Sequence, residues 1–220
     1  MLYDAIISRL KFLSNDENRE GMARFGIRTE NAYGVSVTEL RKIARLTDPS
    51  HDLALRLWSS GIHEARILAA FLDEPDKVTE RQMDAWVRDF DSWDVCDQVC
   101  GNLFDKTEFA QKKAFEWSHE KDEFVKRAGF VMMAAIAVHD KTADDKDLER
   151  FLPVIKRECT DERNYVKKAV NWALRQIGNR DANLIRLALK AAEEISKVDS
   201  PAAKWIASDA IRELERKKFS

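Results

Sequence analysis

The chain has 220 residues, 45% of them hydrophobic and 35% charged, with only 7 Gly and 4 Pro, a make-up that favours helices with solvated faces over a turn-rich all-β fold. Its 37 Lys and Arg against 39 Asp and Glu leave a formal net charge of -2, so no global field draws it onto nucleic acid or an anionic membrane, and any DNA contact must come from a local basic patch. No apolar run approaches the roughly 18 to 20 residues that span a bilayer, which excludes an integral membrane protein built on helices.

The length suits one core or one continuous repeat array, and a single domain over residues 1–220 is expected. Three cysteines, Cys96, Cys100 and Cys159, cannot all pair within one chain, and with no secretory segment read before them a reducing cytoplasm is the expected setting. Cys96 and Cys100 have the spacing of a helix face, not of CxxC, and no second thiol pair or His pair accompanies them. His51, His63, His119 and His139 are scattered, so neither a metal nor a cofactor is expected.

In chain order, Leu2, Ile6, Leu10 and Leu13 fall at helical spacing, and the polar stretch from Asn15 to Glu20 then interrupts the apolar pattern. After the Gly-containing stretch Met22 to Gly34, Ser36 or Thr38 can cap a helix reading TELRKIARL. Its Leu40, Ile43 and Leu46 point inward, while Arg41, Lys42 and Arg45 point out as a first phosphate-contacting surface. From there a two-helix theme recurs, broken by short polar elbows at Thr47 to Ser50, Asp73 to Asp76, His139 to Asp147 and Asn179 to Asn183.

A helix that begins with a basic residue and runs into small and apolar ones returns four times, as ARILAAFL, KRAGFVMM, KKAVNWAL and AKWIASDAI. Aligning Arg66, Arg127, Lys168 and Lys204 gives spacings of 61, 41 and 36 residues, the last two near the period of helical-pair repeats. Such repeats cannot bury their apolar faces alone, so the expected fold is all-α, HEAT-like helical repeats stacked into a curved solenoid with a concave basic groove. Equivalent basic residues on the inner helices would then form a track that neutralises phosphates. The plainer alternative is that these charges only solvate helix surfaces, since most HEAT-type arrays bind proteins.

The least ordinary segment is DFDSWDVCDQVCGNLF, residues 89 to 104. Asp91 or Ser92 can cap a helix there, and Trp93 and Asp97, four residues apart, then share one face. An aromatic plate beside a carboxylate suits a cationic base or a developing oxocarbenium sugar. It is equally the pattern of a buried Trp beside an acidic cluster favoured by the helix dipole. Arg127 has the rigid fork that matches phosphate oxygens, or is a solvated or ion-paired arginine. Trp172, four residues after Lys168, either stacks on a base or sugar or fills the seam between repeats.

Several segments in order resemble one family over nearly the whole chain: MARFGIRTENAYGVSVTELRKIAR, SWDVCD, FVKRAGF and YVKKAVNWALR. They are similar to the amino-terminal motif, the Ser-Trp-Trp-Asp-x-x-Asp signature, the arginine helix and the late Lys-Ala-x-x-Trp helix of the AlkD-type alkylpurine DNA glycosylases, HEAT-like DNA alkylation repair proteins. The resemblance implies that Asp97 is the catalytic carboxylate, that Trp93 and Trp172 touch the lesion nucleotide, and that Arg127 binds the backbone near it. Phe25 stands where the family tends to have a tyrosine, and Ser92 where it has the first of two tryptophans.

The activity implied is hydrolysis of the N-glycosidic bond of cationic purines, of the 3-methyladenine and 7-methylguanine type, in duplex DNA without base flipping. Lys168 and Lys204 join Arg41, Lys42, Arg45 and Arg127 as expected backbone contacts, and the protein is expected to act as a monomer on DNA alone. Two alternatives stay open, a non-catalytic DNA-binding HEAT module and a protein-interaction scaffold.

Overall fold

Every regular element among the described residues, 2–218 of this computed structural model, is helical. The chain divides into two compact units that meet at Thr107 and Glu108. In the first, α1 (Tyr3–Phe12), α2 (Asp16–Arg24), α3 (Val37–Arg45), α4 (His51–Ser59), α5 (His63–Leu72), α6 (Glu80–Arg88) and α7 (Trp93–Asn102) follow one another with two short 3-10 turns. In the second come α8 (Ala110–Ser118), α9 (Glu123–His139), α10 (Asp145–Glu149), α11 (Phe151–Glu158), α12 (Asn164–Gly178), α13 (Ala182–Ser196) and α14 (Pro201–Lys218).

Helix α5 is the hub of the first unit and packs against α3, α4 and α7. Ala65, Leu68 and Ala69 are fully buried in it, small residues alternating with large ones so that neighbours approach closely. Beside it Trp58 and Trp86 stack with ring centroids 4.0 Å apart, and Phe90 meets Trp58 edge-on at 6.1 Å. Ser36, Ser50 and Thr79 accept from the backbone N–H three residues on and so start α3, α4 and α6. Of the two caps open for α3, the chain uses Ser36.

Helix α2 departs from the expected interruption over Asn15 to Glu20. Its sequence, DENREGMAR, has no apolar stripe, and it buries none of its residues. Local capping starts it, through the Asn15 side chain accepting from Asn18 N–H at 2.8 Å. The Asn15 N–H donates to the Tyr33 carbonyl at 2.8 Å, so the chain leaves for α2 and returns at nearly one point. Gly34 completes that closure with φ +76°, because a Cβ there would run into the Asn15 carbonyl oxygen.

The second unit is built on α9, which packs against α8 and α12, with α13 and α14 closing on α12. Twelve of the seventeen α9 residues are buried, the pattern of a helix apolar all round. Gly129 lets α8 lie against it, since a Cβ at that position would strike the Ser118 backbone. Arg180 donates to the carbonyl of Ala137 in the last turn of α9 at 3.0 Å and to that of Ala143 in the following loop at 3.2 Å, tying the two together. No helix among the described residues is long and apolar enough to cross a membrane.

Candidate nucleic-acid interface and base cradle

Ser92 is the N-cap of α7, in extended conformation and fully buried, and its side chain makes no capping bond. Trp93 and Asp97 follow one turn apart on the same helix, both half-buried. The indole Nε1 of Trp93 donates to the Phe25 carbonyl at 3.1 Å. Phe25 is the residue after α2 and is 74% exposed. A single bond across 68 residues of sequence thus brings together Trp93 and Phe25, with Asp97 one turn along.

Next to Trp93 lies a feature that the sequence did not announce. His63, the first residue of α5, places Nε2 2.7 Å from Oδ2 of Asp94. Burial by itself pushes the imidazole down, but the hydrogen bond and charge of Asp94, joined by the charges of Glu64 and Asp91, outweigh it and hold His63 above its ordinary value. The other carboxylate oxygen of Asp94, Oδ1, is buried and has no hydrogen-bond partner. Above this pair a cavity of about 600 Å3 opens between α2, the start of α3, α5 and α7, with Phe25, Trp93, Asp94, His63 and Gln98 in its wall and Asp97 outside it.

One carboxylate fixes the shape of that cavity. Glu64 is fully buried, and its oxygens accept the backbone N–H groups of Tyr33 at 2.9 Å, Gly34 at 2.7 Å and Val35 at 3.1 Å. Three charge-assisted bonds hold an irregular loop as firmly as a helix end. The Cys100 thiol is inert by contrast: burial, then Cys96 and the charges of Asp97 and Asp105, push it far up. Among the described residues no group of three His, Cys, Asp or Glu side chains is placed to hold a metal ion.

The basic residues divide into two kinds. Arg41, Lys42 and Arg45 are exposed on α3, Lys42 bridging to Glu39 at 2.6 Å and Arg41 lying 5.7 Å from the centre of the Phe71 ring. Lys168 on α12 and Lys204 on α14 are also exposed, Lys204 bridging to Asp199 at 2.8 Å, and Trp172 is half-buried. Arg127 is different, only 6% exposed, with Nη1 donating to the Tyr165 carbonyl at 2.7 Å.

Arg66 is likewise turned inward, donating to the Asp89 carbonyl at 3.1 Å and lying 5.3 Å from the centre of the Trp58 ring. The four aligned basic positions therefore do not make one uniform track. The two arginines tie helices together, because α5 and α9 are buried on most sides, and the two lysines face solvent. Sequence reasoning missed His63, Asp94 and Glu64, whose partners lie about thirty residues away and share no motif.

A family model described as DNA alkylation repair enzyme matches residues 6–214. Among curated proteins, the "Uncharacterized protein Lin0241" of Listeria innocua is 23% identical over 201 residues, covering 89% of this chain and 87% of its own length. A solved structure described as "A new family of proteins related to the HEAT-like repeat DNA glycosylases with affinity for branched DNA structures" superposes with a TM-score of 0.81 at 19% identity, over 99% of this chain and 96% of that one. The helical stack is thus a HEAT-like repeat fold, as the period of the basic helices predicts.

Proposed function

The chain belongs to the DNA alkylation repair enzyme family, and from that premise we propose that it is a monofunctional glycosylase releasing cationic alkylated purines, of the 3-methyladenine and 7-methylguanine type, from duplex DNA. The observation that carries this reading is the pair Trp93 and Asp97 on one face of α7, with the indole fixed by the Phe25 carbonyl. A fixed aromatic plate and a carboxylate one turn away suit a reaction centre that becomes positively charged.

A cationic purine is already a good leaving group, so no strong general acid is required. The N-glycosidic bond breaks with its electron pair passing to the purine, which leaves neutral. The deoxyribose is left as an oxocarbenium ion, whose charge the Asp97 carboxylate stabilises. Water adds at C1′ on the side of Asp97, which orients it and takes up its proton, and the product is an abasic site in an unbroken strand. Trp172 is assigned a contact to the lesion nucleotide. Lys168, Lys204, Arg41, Lys42 and Arg45 are assigned salt-sensitive contacts to phosphates. Arg127 is assigned a phosphate contact near the lesion through guanidinium donors other than the one held by the Tyr165 carbonyl. The lesion stays exposed in this scheme and is not drawn into a pocket.

A second reading, a non-catalytic DNA-binding module, is favoured by two observations. Phe25 brings no hydroxyl to the cradle, and the Arg127 guanidinium is turned inward. The structural relative described as having affinity for branched DNA is consistent with that alternative.

The test is to incubate the protein and its Asp97→Asn variant with methylated duplex DNA and assay free methylpurines by mass spectrometry. Release by the wild type, reduced about 100-fold or more in the variant with DNA binding retained, is the expected result. Equal release by both removes Asp97 from the chemistry. No release from DNA that the protein binds selects the second reading.

A further inference from the structure

We propose that His63 is a positioning residue of the cradle: through Asp94 it sets the turn of α7 about its own axis, and with it the places of the Trp93 indole and the Asp97 carboxylate. This rests on the glycosylase reading above and names a further residue for that reaction. His63 opens α5, the hub of the first unit, and is only 6% exposed. Its Nε2 lies 2.7 Å from Oδ2 of Asp94, which follows Trp93 directly and precedes Asp97 by three residues. The tie falls between the two groups whose places matter.

The other ties at the start of α7 are poorer references for it. Ser92, the N-cap, makes no side-chain capping bond. The Trp93 indole is bonded to the Phe25 carbonyl, but Phe25 ends α2, a helix that buries none of its residues. Arg66 donates to the Asp89 carbonyl and stands 3.9 Å from Asp91, which fixes the turn before the helix and not the helix itself. The His63 bond, by contrast, runs from the packed hub to a residue inside α7.

Asp94 has reason to move once that bond is lost. Its Oδ1 is buried with no hydrogen-bond partner, so removing the imidazole withdraws the donor from Oδ2 as well and drives the carboxylate towards water. Turning α7 by about 10° shifts an atom about 6 Å from its axis by about 1 Å. A misplacement of about that size can cost about 100-fold in rate.

We would compare the wild type with His63→Leu, Asp94→Ala, the double variant and His63→Gln, whose amide is a neutral donor in place of Nε2. Three quantities are measured below every variant's melting: single-turnover release of 7-methylguanine from a duplex at saturating protein, duplex affinity, and the Trp93 share of the fluorescence. That share is obtained by subtracting each protein's Trp93→Phe counterpart. His63→Leu and Asp94→Ala are each expected to release base about 10- to 100-fold more slowly, with duplex affinity kept within about twofold. The double variant is expected to be no slower than either, because both changes remove one bond. His63→Gln recovers the rate to within about threefold, and the Trp93 emission shifts in the two breaking variants and returns in His63→Gln. Where one breaking variant does not fold, the other carries the comparison.

An unchanged rate in the breaking variants, losses that multiply in the double variant, or a His63→Gln as slow as His63→Leu overturns the positioning role and leaves the glycosylase reading standing. If the wild type releases no base, that reading falls and the emission decides. A Trp93 shift in His63→Leu that His63→Gln reverses then upholds the positioning of Trp93, and no shift overturns it too.

Discussion

Helix α9 buries twelve of its seventeen residues, whereas α2 buries none. Each helix carries or adjoins a residue that the family resemblance marks for DNA, yet the Arg127 guanidinium is committed to the Tyr165 carbonyl while the Phe25 ring stands in solvent. Surroundings, more than residue type, decide whether a marked side chain is available. A helix enclosed on most sides turns even an arginine into a structural tie, and a helix with no apolar face holds its neighbours through hydrogen bonds, the Phe25 carbonyl with Trp93 and the Asn18 amide with Gly34.

Two glycines expose the contrast most sharply. Gly129→Ala in α9 forces a Cβ into the Ser118 backbone and is expected to cost about 3 kcal/mol in chemical denaturation. A neutral result would mean that α8 and α9 slide apart easily, and the contrast with α2 would fail. Arg127→Ala leaves the Tyr165 carbonyl without that donor and removes a buried stem, a loss of about 2 kcal/mol by the same assay. Unchanged stability with weakened DNA affinity would instead place the guanidinium on DNA and bring α9 closer to α2 in behaviour.

Beneath α2, the His63 and Asp94 pair predicts a pH dependence with a definite sign. The folded state holds the imidazole above its ordinary value of 6.5, so the protonated pair contributes fully below that value and its contribution fades as pH rises through the folded-state value. His63→Gln is therefore expected to cost about 1.5 kcal/mol near pH 5.5 and progressively less towards about pH 8.5, read from urea melts of variant against wild type. A cost that grows with pH would reverse the assignment. Smallest of all, a Cβ at Gly21 in the middle of α2 makes only an ordinary contact with the Arg24 guanidinium at 3.8 Å, and Gly21→Ala is expected to raise stability by about 0.5 to 1 kcal/mol. Destabilisation would show that α2 is more tightly packed than it looks.

Much of this was legible in the chain. The segment TELRKIARL alternates apolar and basic residues at helical spacing after a Ser, and α3 forms there with Ser36 as its cap and Leu40 and Ile43 buried, but Leu46, expected inward, follows the last turn and is exposed. The segment SWDVCD starts α7 at Trp93 and sets Asp97 one turn on, as its spacing requires. Helix α2 was not legible, because nothing in DENREGMAR repeats every three or four residues. The cavity wall was hidden for a different reason. His63 and Asp94 lie 31 residues apart, and Glu64 reaches back to Tyr33, Gly34 and Val35, so each partnership exists only once α5 is packed. For the same reason nothing in KRAGF announces that its arginine also donates to a carbonyl 38 residues away.

The tie between Asn15 and Tyr33 has a consequence for how such a protein diversifies. The segment between them leaves and rejoins the core at one hydrogen-bonded point secured by Glu64 and Gly34, and is pinned from inside at Asn18, Phe25 and Asn31, whose bonds run to Gly34, Trp93 and His63. Lengthening a closed excursion costs little further entropy, about 0.6 kcal/mol per doubling. The stretch from Asp16 to Ala32 is in that sense a cassette held at those three points: between them it tolerates lengthening or rewriting that alters the cavity wall while the helices beneath keep their places.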